Sequence, residues 1–348
     1  MIHHIPTVLE AIGNTPLIRI QRLNPNTNVQ ILAKLEFMNP SGSIKDRIIR
    51  HIIEDAETKG LLKIGGTIIE NTSGNTGAAV AMIAAIKGYK AILTMPDKVS
   101  KEKQNMLRAL GAEIIVCPTK TAPGDASHYV QRAIDLARAT PNSFRINQYD
   151  NTKNSEAHYL TTGPEIWDQA GGNIDYFVVS GSTGGTISGA GRYLKEKNPN
   201  LKVIMPDPVG SIYYKFFQTG TIDPKEIGGY NVEGVGEDHL AKCMDFSVVD
   251  EMVQFTDSNA FHTAKLLATR EGIFAGGSSG ANLWAALELA KTLTKSATIV
   301  TVFPDTGLKY LSKMFNDEWM QTNGFAMEDR AKIIQNKMLS LSSLNPRM

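Results

Sequence analysis

Short apolar runs alternate along this chain with stretches whose apolar residues recur at helical spacing. Runs at 29–35, 67–70, 91–95, 113–117, 176–180, 201–205 and 298–303 predict strands. The stretches 48–57, 77–87, 100–110, 126–139, 186–196, 257–271 and 279–293 predict amphipathic helices between them. Strands read as nearly continuous apolar runs are buried on both faces, so the expected class is α/β, with mainly parallel sheets flanked by helices. In such sheets ligands bind at the carboxyl ends of strands, where the connecting loops collect. The polar region 140–155 is read as a crossing between domains. Beyond Phe325 the pattern becomes a charged segment and then a Ser/Leu-rich end, read as a helix with a disordered stub or a docking element.

A chain of 348 residues is long for one core and points to about two domains. A net charge of +1 argues against nucleic-acid or membrane surfaces, since both require a clear basic excess. Cys117 and Cys243 are expected as reduced core thiols. No apolar run reaches the length of a membrane span. The start of the chain lacks a basic region followed by an apolar stretch, so cytoplasm is the expected location.

Candidate chemistry lies in four loops. In Asn39-Pro40-Ser41-Gly42-Ser43-Ile44-Lys45-Asp46-Arg47, turn residues place Lys45 between a strand and a helix. There, partial burial and the helix dipole both disfavour the ammonium form. A lysine made less basic is an amine nucleophile of the kind that forms Schiff bases; alone, Lys45-Asp46 reads first as a solvated surface pair, and it is the loops further along the chain that overturn that reading. The second loop, Asn71-Thr72-Ser73-Gly74-Asn75-Thr76-Gly77, gathers more donors at a helix start than a cap needs and suits a carboxylate or phosphate. The third, Ser180-Gly181-Ser182-Thr183-Gly184-Gly185-Thr186, has the glycines and helix entry of a phosphate cradle. It lacks both the P-loop ending and G-x-G-x-x-G, although Asp207 falls near where a dehydrogenase would place a ribose-binding acid. The fourth, Gly276-Gly277-Ser278-Ser279-Gly280-Ala281, offers a hydroxyl that serves a ring nitrogen or a helix cap. Ser100-Lys101-Glu102-Lys103 fits S-x-x-K without its companion motifs and opens a charged helix. The histidines form no ligand cluster, so no metal is expected, and His158 reads as a packed, hydrogen-bonded side chain. An activated lysine, a phosphate cradle, a carboxylate loop and a ring contact together match one cofactor, pyridoxal 5′-phosphate.

From about Ile5 to Phe325 the chain resembles the fold-type II pyridoxal-phosphate enzymes of the cysteine synthase and cystathionine β-synthase group. The resemblance is carried, in order, by Gly13-Asn14-Thr15-Pro16-Leu17, the Lys45 loop, 72–77, Gln148-Tyr149, 182–186, Glu233-Gly234-Val235-Gly236, 277–280 and Pro304-Asp305. It implies a tryptophan-synthase-β-like fold of two domains. A smaller mobile domain, 41–154, would carry Lys45 and the carboxylate loop; a larger one, 1–40 with 155–325, would carry the phosphate loop; 326–348 would be a tail. It implies that Lys45 carries the internal Schiff base and that Asn75 bonds the ring hydroxyl. Ser182, Thr183, Gly184, Gly185 and Thr186 would hold the phosphate, and Ser278 would contact the pyridine nitrogen. Thr72, Ser73, Gly74, Thr76 and Gln148, with Gly234, would bind the substrate.

A serine beside the ring nitrogen leaves it unprotonated and favours β-elimination. The resemblance implies that Lys45 would take the α-proton as general base, and that loss of the β-group through an α-aminoacrylate and addition of a thiol would follow while the smaller domain excludes water. The segments 147–151, 207–211, 233–238 and 316–320, with Gly324-Phe325, look more like cystathionine β-synthases than cysteine synthases. Homocysteine is therefore the expected acceptor, giving cystathionine in transsulfuration. The alternative is O-acetylserine with sulfide, giving cysteine. An amine acceptor and a non-catalytic binding homologue are more remote. Ser182 stands where relatives begin the phosphate loop with glycine, and Glu237 where some carry tyrosine. Neither haem nor adenosylmethionine control is expected, and a homodimer is.

Overall fold

A computed structural model describes residues 4–72, 74–122 and 124–326. Ser73 and the tail 327–348 lie outside the described residues. The chain divides into two units, residues 1–309 and 310–348.

The first unit contains two sheets. Strands β1 (Leu17–Ile20), β2 (Val29–Leu35), β7 (Tyr176–Val178), β8 (Lys202–Pro208), β9 (Glu251–Phe255) and β10 (Ala297–Phe303) form one, in the order β1-β2-β10-β7-β8-β9. Strands β3 (Thr67–Asn71), β4 (Lys90–Pro96), β5 (Glu113–Cys117) and β6 (Ser143–Arg145) form the other, in the order β5-β4-β3-β6. Every pairing is parallel except β1 with β2. The fold is thus the α/β class with parallel sheets that the alternating pattern predicts. All five residues of β3 are buried, because helices cover both of its faces.

The helices of this unit are α1 (Lys45–Thr58), α2 (Asn75–Lys87), α3 (Lys101–Ala109), α4 (Tyr129–Ala139), α5 (Lys153–Ala157), α6 (Gly163–Gln169), α7 (Gly185–Lys197), α8 (Tyr213–Thr219), α9 (Asp257–Leu266) and α10 (Gly277–Thr292). Helix α2 is buried almost all round its first turns, from Thr76 to Ala84, which requires the apolar, small-residue sequence it has. It packs with α1 and the four-stranded sheet in one core; the two faces of the six-stranded sheet carry two further cores.

Several boundaries differ from the sequence pattern for identifiable reasons. Strand β7 stops at Val178 because the Ser180 N–H leaves the ladder and donates to Asn282 Oδ1 at 2.7 Å. Lys45 is the first residue of α1 and does not precede it. The region 140–155, read as a crossing, contains β6 and the start of a helical run. A π-helical turn, His158–Thr162, joins α5 to α6 in that run. The apolar pattern does not reveal β1, β6 and β9: all three are short strands at sheet edges, and β6 has only three residues. In the second unit, the described residues form one helix, α11 (Asp317–Thr322), capped by the Asn316 side chain. No helix among the described residues is long and apolar enough to cross a membrane.

Candidate active site

The Lys45 turn is built by its own polar residues. Asp46 is fully buried and accepts the Ser41 N–H at 2.7 Å and the Ser41 hydroxyl. Burial pushes its carboxyl up to about 6. The solvated-pair reading of Lys45-Asp46 is therefore not what the chain does. The next residue, Arg47, reaches back into a buried ionic cluster. It bonds Glu36 at 2.7 and 2.8 Å and Glu165 at 2.7 and 2.6 Å. Lys34 bonds Glu165 at 2.7 Å and the Thr15 carbonyl at 2.6 Å. Thr15 donates to Glu36 at 2.6 Å, which gives the Gly13–Leu17 segment its part in the site. The start of α1 is thereby fixed, and Lys45 with it.

Lys45 lines one cavity together with the loop 179–186, Gly234 and Pro304. Burial lowers the Lys45 amine below the ordinary lysine value, while Glu237, Asp305 and Cys243 oppose the shift. The amine is thus biased toward its neutral, nucleophilic form.

The loop facing it is held from several directions. Gly184, at φ 80°, caps α7, and a Cβ there would fall 2.5 Å from the Met244 Cα. A Cβ on Gly185 would fall 1.9 Å from Asn154 Oδ1. Asn154 in turn donates to Thr183 Oγ1 at 3.0 Å and to the Gln148 carbonyl at 2.8 Å. Thr186 Oγ1 lies 3.2 Å from His158 Nε2, and the other ring nitrogen lies 2.8 Å from Thr162 Oγ1. Burial holds the His158 imidazole far below its ordinary value, and Lys45, Arg47 and His51 push the same way. His158 is therefore a neutral brace for Thr186, in keeping with the packed reading. Its place in a π turn is not legible in the sequence. The Ser182 hydroxyl donates to Glu237, and Tyr213 donates to the Ser182 carbonyl at 2.8 Å.

Because Gly185 has no room for a side chain, Gly185→Ala should cost about 1–3 kcal/mol of local packing. The expected result is weaker cofactor retention, read by fluorescence titration of the apoprotein, with the unfolding transition shifted less than the titration.

Asp305, singled out in the sequence only as part of a motif, gathers the remaining pieces. It pairs with Ser43 in a β-bridge. Its carbonyl accepts the Gly276 N–H at 3.0 Å, at the entry to α10 where Ser278 is buried. Its carboxylate accepts from Asn75 Nδ2 at 2.8 Å. Lys309 donates to Asn75 Oδ1 at 2.6 Å; no sequence motif points to it.

The carboxylate-type donors sit at the carboxyl end of β3. Thr72 Oγ1 accepts the N–H groups of Gly74 at 3.1 Å and Gly77 at 3.2 Å, closing the turn into α2. Thr76 donates to Gln148 Oε1 at 2.5 Å. Gln148 is positioned by buried Glu70, which accepts the N–H of Asn147 at 2.8 Å and of Gln148 at 3.3 Å. Burial pushes the Glu70 carboxyl up to about 7. A second, larger cavity of about 730 Å³ is lined by Arg145, Asn147, Tyr149, Asp150, Tyr230 and Glu237, among others. Burial raises both Glu237 and Tyr149. Asp207, the candidate ribose ligand, is fully buried and accepts the Tyr214 N–H at 2.9 Å, so it faces no nucleotide.

One cavity therefore sets an amine of lowered basicity against a glycine-built cradle of hydroxyls and N–H groups at a helix entry. The cradle has no room for larger residues, and its donor set suits a phosphorylated aldehyde such as pyridoxal 5′-phosphate.

Comparison with known proteins agrees. The model of a family described as pyridoxal-phosphate dependent enzyme matches residues 8–305. Cystathionine beta-synthase of Apis mellifera is 45% identical over 336 residues, 96% of this chain and 65% of that protein. The chain spans about three fifths of the length of the animal relatives it matches. The O-acetylserine dependent cystathionine beta-synthase of Bacillus subtilis (strain 168) is 43% identical over 309 residues, 89% of this chain and 97% of that protein. Among solved structures, O-ureido-L-serine synthase superposes with a TM-score of 0.82 at 34% identity, covering 95% of this chain and 99% of that one.

Proposed function

The chain belongs to the pyridoxal-phosphate dependent enzymes, and from that premise we propose that it catalyses β-replacement on serine or an activated serine, with homocysteine as acceptor. The observation that carries this reading is the single cavity shared by Lys45 and the loop 179–186. Pyridoxal 5′-phosphate, when bound, supplies an aldehyde that condenses with amines and a ring that withdraws electrons from the adjoining carbon.

The chain's own residues do the rest. Thr183 and Thr186, with Ser182, Gly184 and Gly185, would hold the phosphate. Asn75 would meet the ring hydroxyl, and Ser278 the ring nitrogen. Thr72, Gly74, Thr76 and Gln148, with Gly234 at the edge, would orient the substrate carboxylate; Ser73 belongs to the same proposal. Lys45, with its amine lowered by burial, would take the proton from the substrate α-carbon as general base. The part of the chain from 41 to 154 would close on the rest to keep water from that carbon.

Homocysteine is favoured over sulfide because the larger cavity has room and charges of both signs, as an amino-acid acceptor requires. Lys98 and Arg145 supply the positive charge, and Asp150 and Asp238 the negative. A cytoplasmic homodimer is part of the same reading; sedimentation as a monomer at micromolar concentration would remove the dimer.

The test is a matrix of donors (serine, O-acetylserine, phosphoserine) against acceptors (homocysteine, sulfide), read by the visible spectrum and by product analysis. A donor-dependent spectral change reversed by homocysteine, with cystathionine formed, is the expected result. Reversal by sulfide alone would assign the cysteine synthase reaction instead. If no serine derivative changes the spectrum, the β-replacement reading fails. In the same assay Gln148→Ala should raise KM for the donor about ten- to a hundredfold, the effect of losing a hydrogen bond to a charged group.

A further inference from the structure

Arg145 is the last residue of β6, at the carboxyl end of an edge strand of the four-stranded sheet. It is half-buried and lines the larger cavity. A guanidinium carries more N–H donors than any other side chain. This one makes a single hydrogen bond among the described residues, from Nη2 to Asn71 Oδ1 at 2.9 Å. Its Nε is buried and has no partner there. Its charge favours the ionised form of Glu70, but the Glu70 oxygens accept the N–H groups of Asn147 and Gln148. His128, on the same lining, also carries a buried nitrogen without a partner, Nδ1. Buried polar atoms are nearly always paired in native structures, so an unpaired one marks a place where a further partner belongs.

The larger cavity meets the Lys45 cavity at one hydrogen bond. Ser182 lines the first and Glu237 the second, and the Ser182 hydroxyl donates to Glu237. A molecule in the larger cavity therefore borders the site of the proposed reaction. Resting on the β-replacement reading, we propose that Arg145 selects the acceptor by binding the carboxylate of a thiol that carries one. The planar fork of a guanidinium matches a carboxylate in shape as well as in charge. Sulfide has no such group and would leave the buried Nε unpaired. A site built to hydrogen-bond one group rejects the analogue that lacks it. Asp150 and Asp238, on the same lining, supply the opposite charge for the ammonium of an amino-acid thiol. A phosphorylated donor would also bring an anionic oxygen group. Its ammonium, however, is taken up in condensing with the cofactor, which leaves the two acids without a counterpart. A zwitterionic acceptor serves both signs.

The experiment is calorimetric binding of 4-mercaptobutyrate to the cofactor-loaded full chain. This probe has a thiol and a carboxylate but no amine, so it cannot condense with the cofactor. Arg145→Met should weaken its binding about ten- to a hundredfold, the effect of losing a hydrogen bond to a charged group. Arg145→Lys keeps the charge without the fork and should fall between parent and Arg145→Met. Propane-1-thiol, which lacks the carboxylate, should bind parent and Arg145→Met alike. Where a donor turns over, Arg145→Met should raise KM for homocysteine by the factor seen in binding, and KM for the donor far less. An equal rise in donor KM would place the effect on Gln148, through Glu70, and would overturn the assignment. So would a loss confined to phosphoserine as donor, which would give the guanidinium to the donor's phosphate. Failure of 4-mercaptobutyrate to bind the parent, or equal binding to parent and Arg145→Met, would overturn it as well. Binding needs no turnover, so failure of every serine derivative would count against the proposed reaction alone.

Discussion

Lys45→Ala is expected to fold, to bind cofactor through the phosphate cradle, and to lose turnover by at least about 10³-fold. The fold should survive because the Lys45 side chain, which lines the cavity, makes none of the hydrogen bonds that fix α1. Those come from Asp46 and Arg47, and alanine suits a helix position. The cradle should survive because its contacts run through Asn154, His158 and Tyr213. What disappears is the one amine among the residues lining that cavity, the group able both to bond a carbonyl carbon and to accept a proton. The measurements are the visible band of the lysine-linked cofactor, which should vanish, and the steady-state rate. Methylamine supplied in solution should restore part of the rate, since it carries the same functional group. Turnover near that of the parent would remove Lys45 from its role.

The second large effect is on stability. Arg47→Met should cost about 3–5 kcal/mol, the range for removing one partner of a buried ion pair. Two carboxylates depend on Arg47. Burial pushes Glu165 up, but the hydrogen bonds and charge of Arg47, helped by Lys34, bring it down to about 2. Burial likewise opposes the ionised form of Glu36, and Arg47 again prevails, leaving it below the ordinary value. A carboxyl depressed in the folded state contributes stability above its unfolded pKa and loses it as pH falls through the folded value. In the parent, that contribution should therefore be complete at neutral pH and decline from 4.5 toward 2. In the variant the uncompensated burial should raise both carboxyls, so protonation relieves them. The difference in denaturant stability between parent and variant should be largest at neutral pH and shrink on acidification. A difference independent of pH would mean that lost packing, and not charge, sets the cost.

Much of this architecture is legible in the chain because its central strands are long apolar runs with few alternatives. Strands β2, β4 and β10 follow their apolar runs nearly to the residue, and the edge strand β5 is also legible because Ile114, Ile115 and Val116 are consecutive. The edge strands β1 and β9 do not stand out, because Arg19 and Gln254 interrupt apolar runs that are already only a few residues long. The site loops are legible as clusters of glycines and hydroxyls at strand ends. Their supports are not. His158 meets Thr186 only through a π turn, Asn154 fills the space that Gly185 vacates, and Lys309 reaches Asn75 across 234 positions. Such pairings depend on tertiary placement, which no local period encodes. The Lys34–Glu36–Arg47–Glu165 cluster is equally hidden, since buried charges look like surface charges in sequence.

The placement of Asp305 has a consequence for how the protein comes into being. Ser43, Asn75 and Gly276 all meet at it. The strand that ends just before it, β10, lies between β2 and β7 and joins them into one sheet. During synthesis, a ribosome that has released Lys45, the 72–77 loop, the whole of 179–186 and Ser278 has made the groups proposed to touch the cofactor. It has not yet made the strand and the residue that bring them together. Domains generally fold as units once their chain has emerged. Cofactor capture should thus be a late, all-or-none event in the birth of this enzyme, timed by the exit of Asp305.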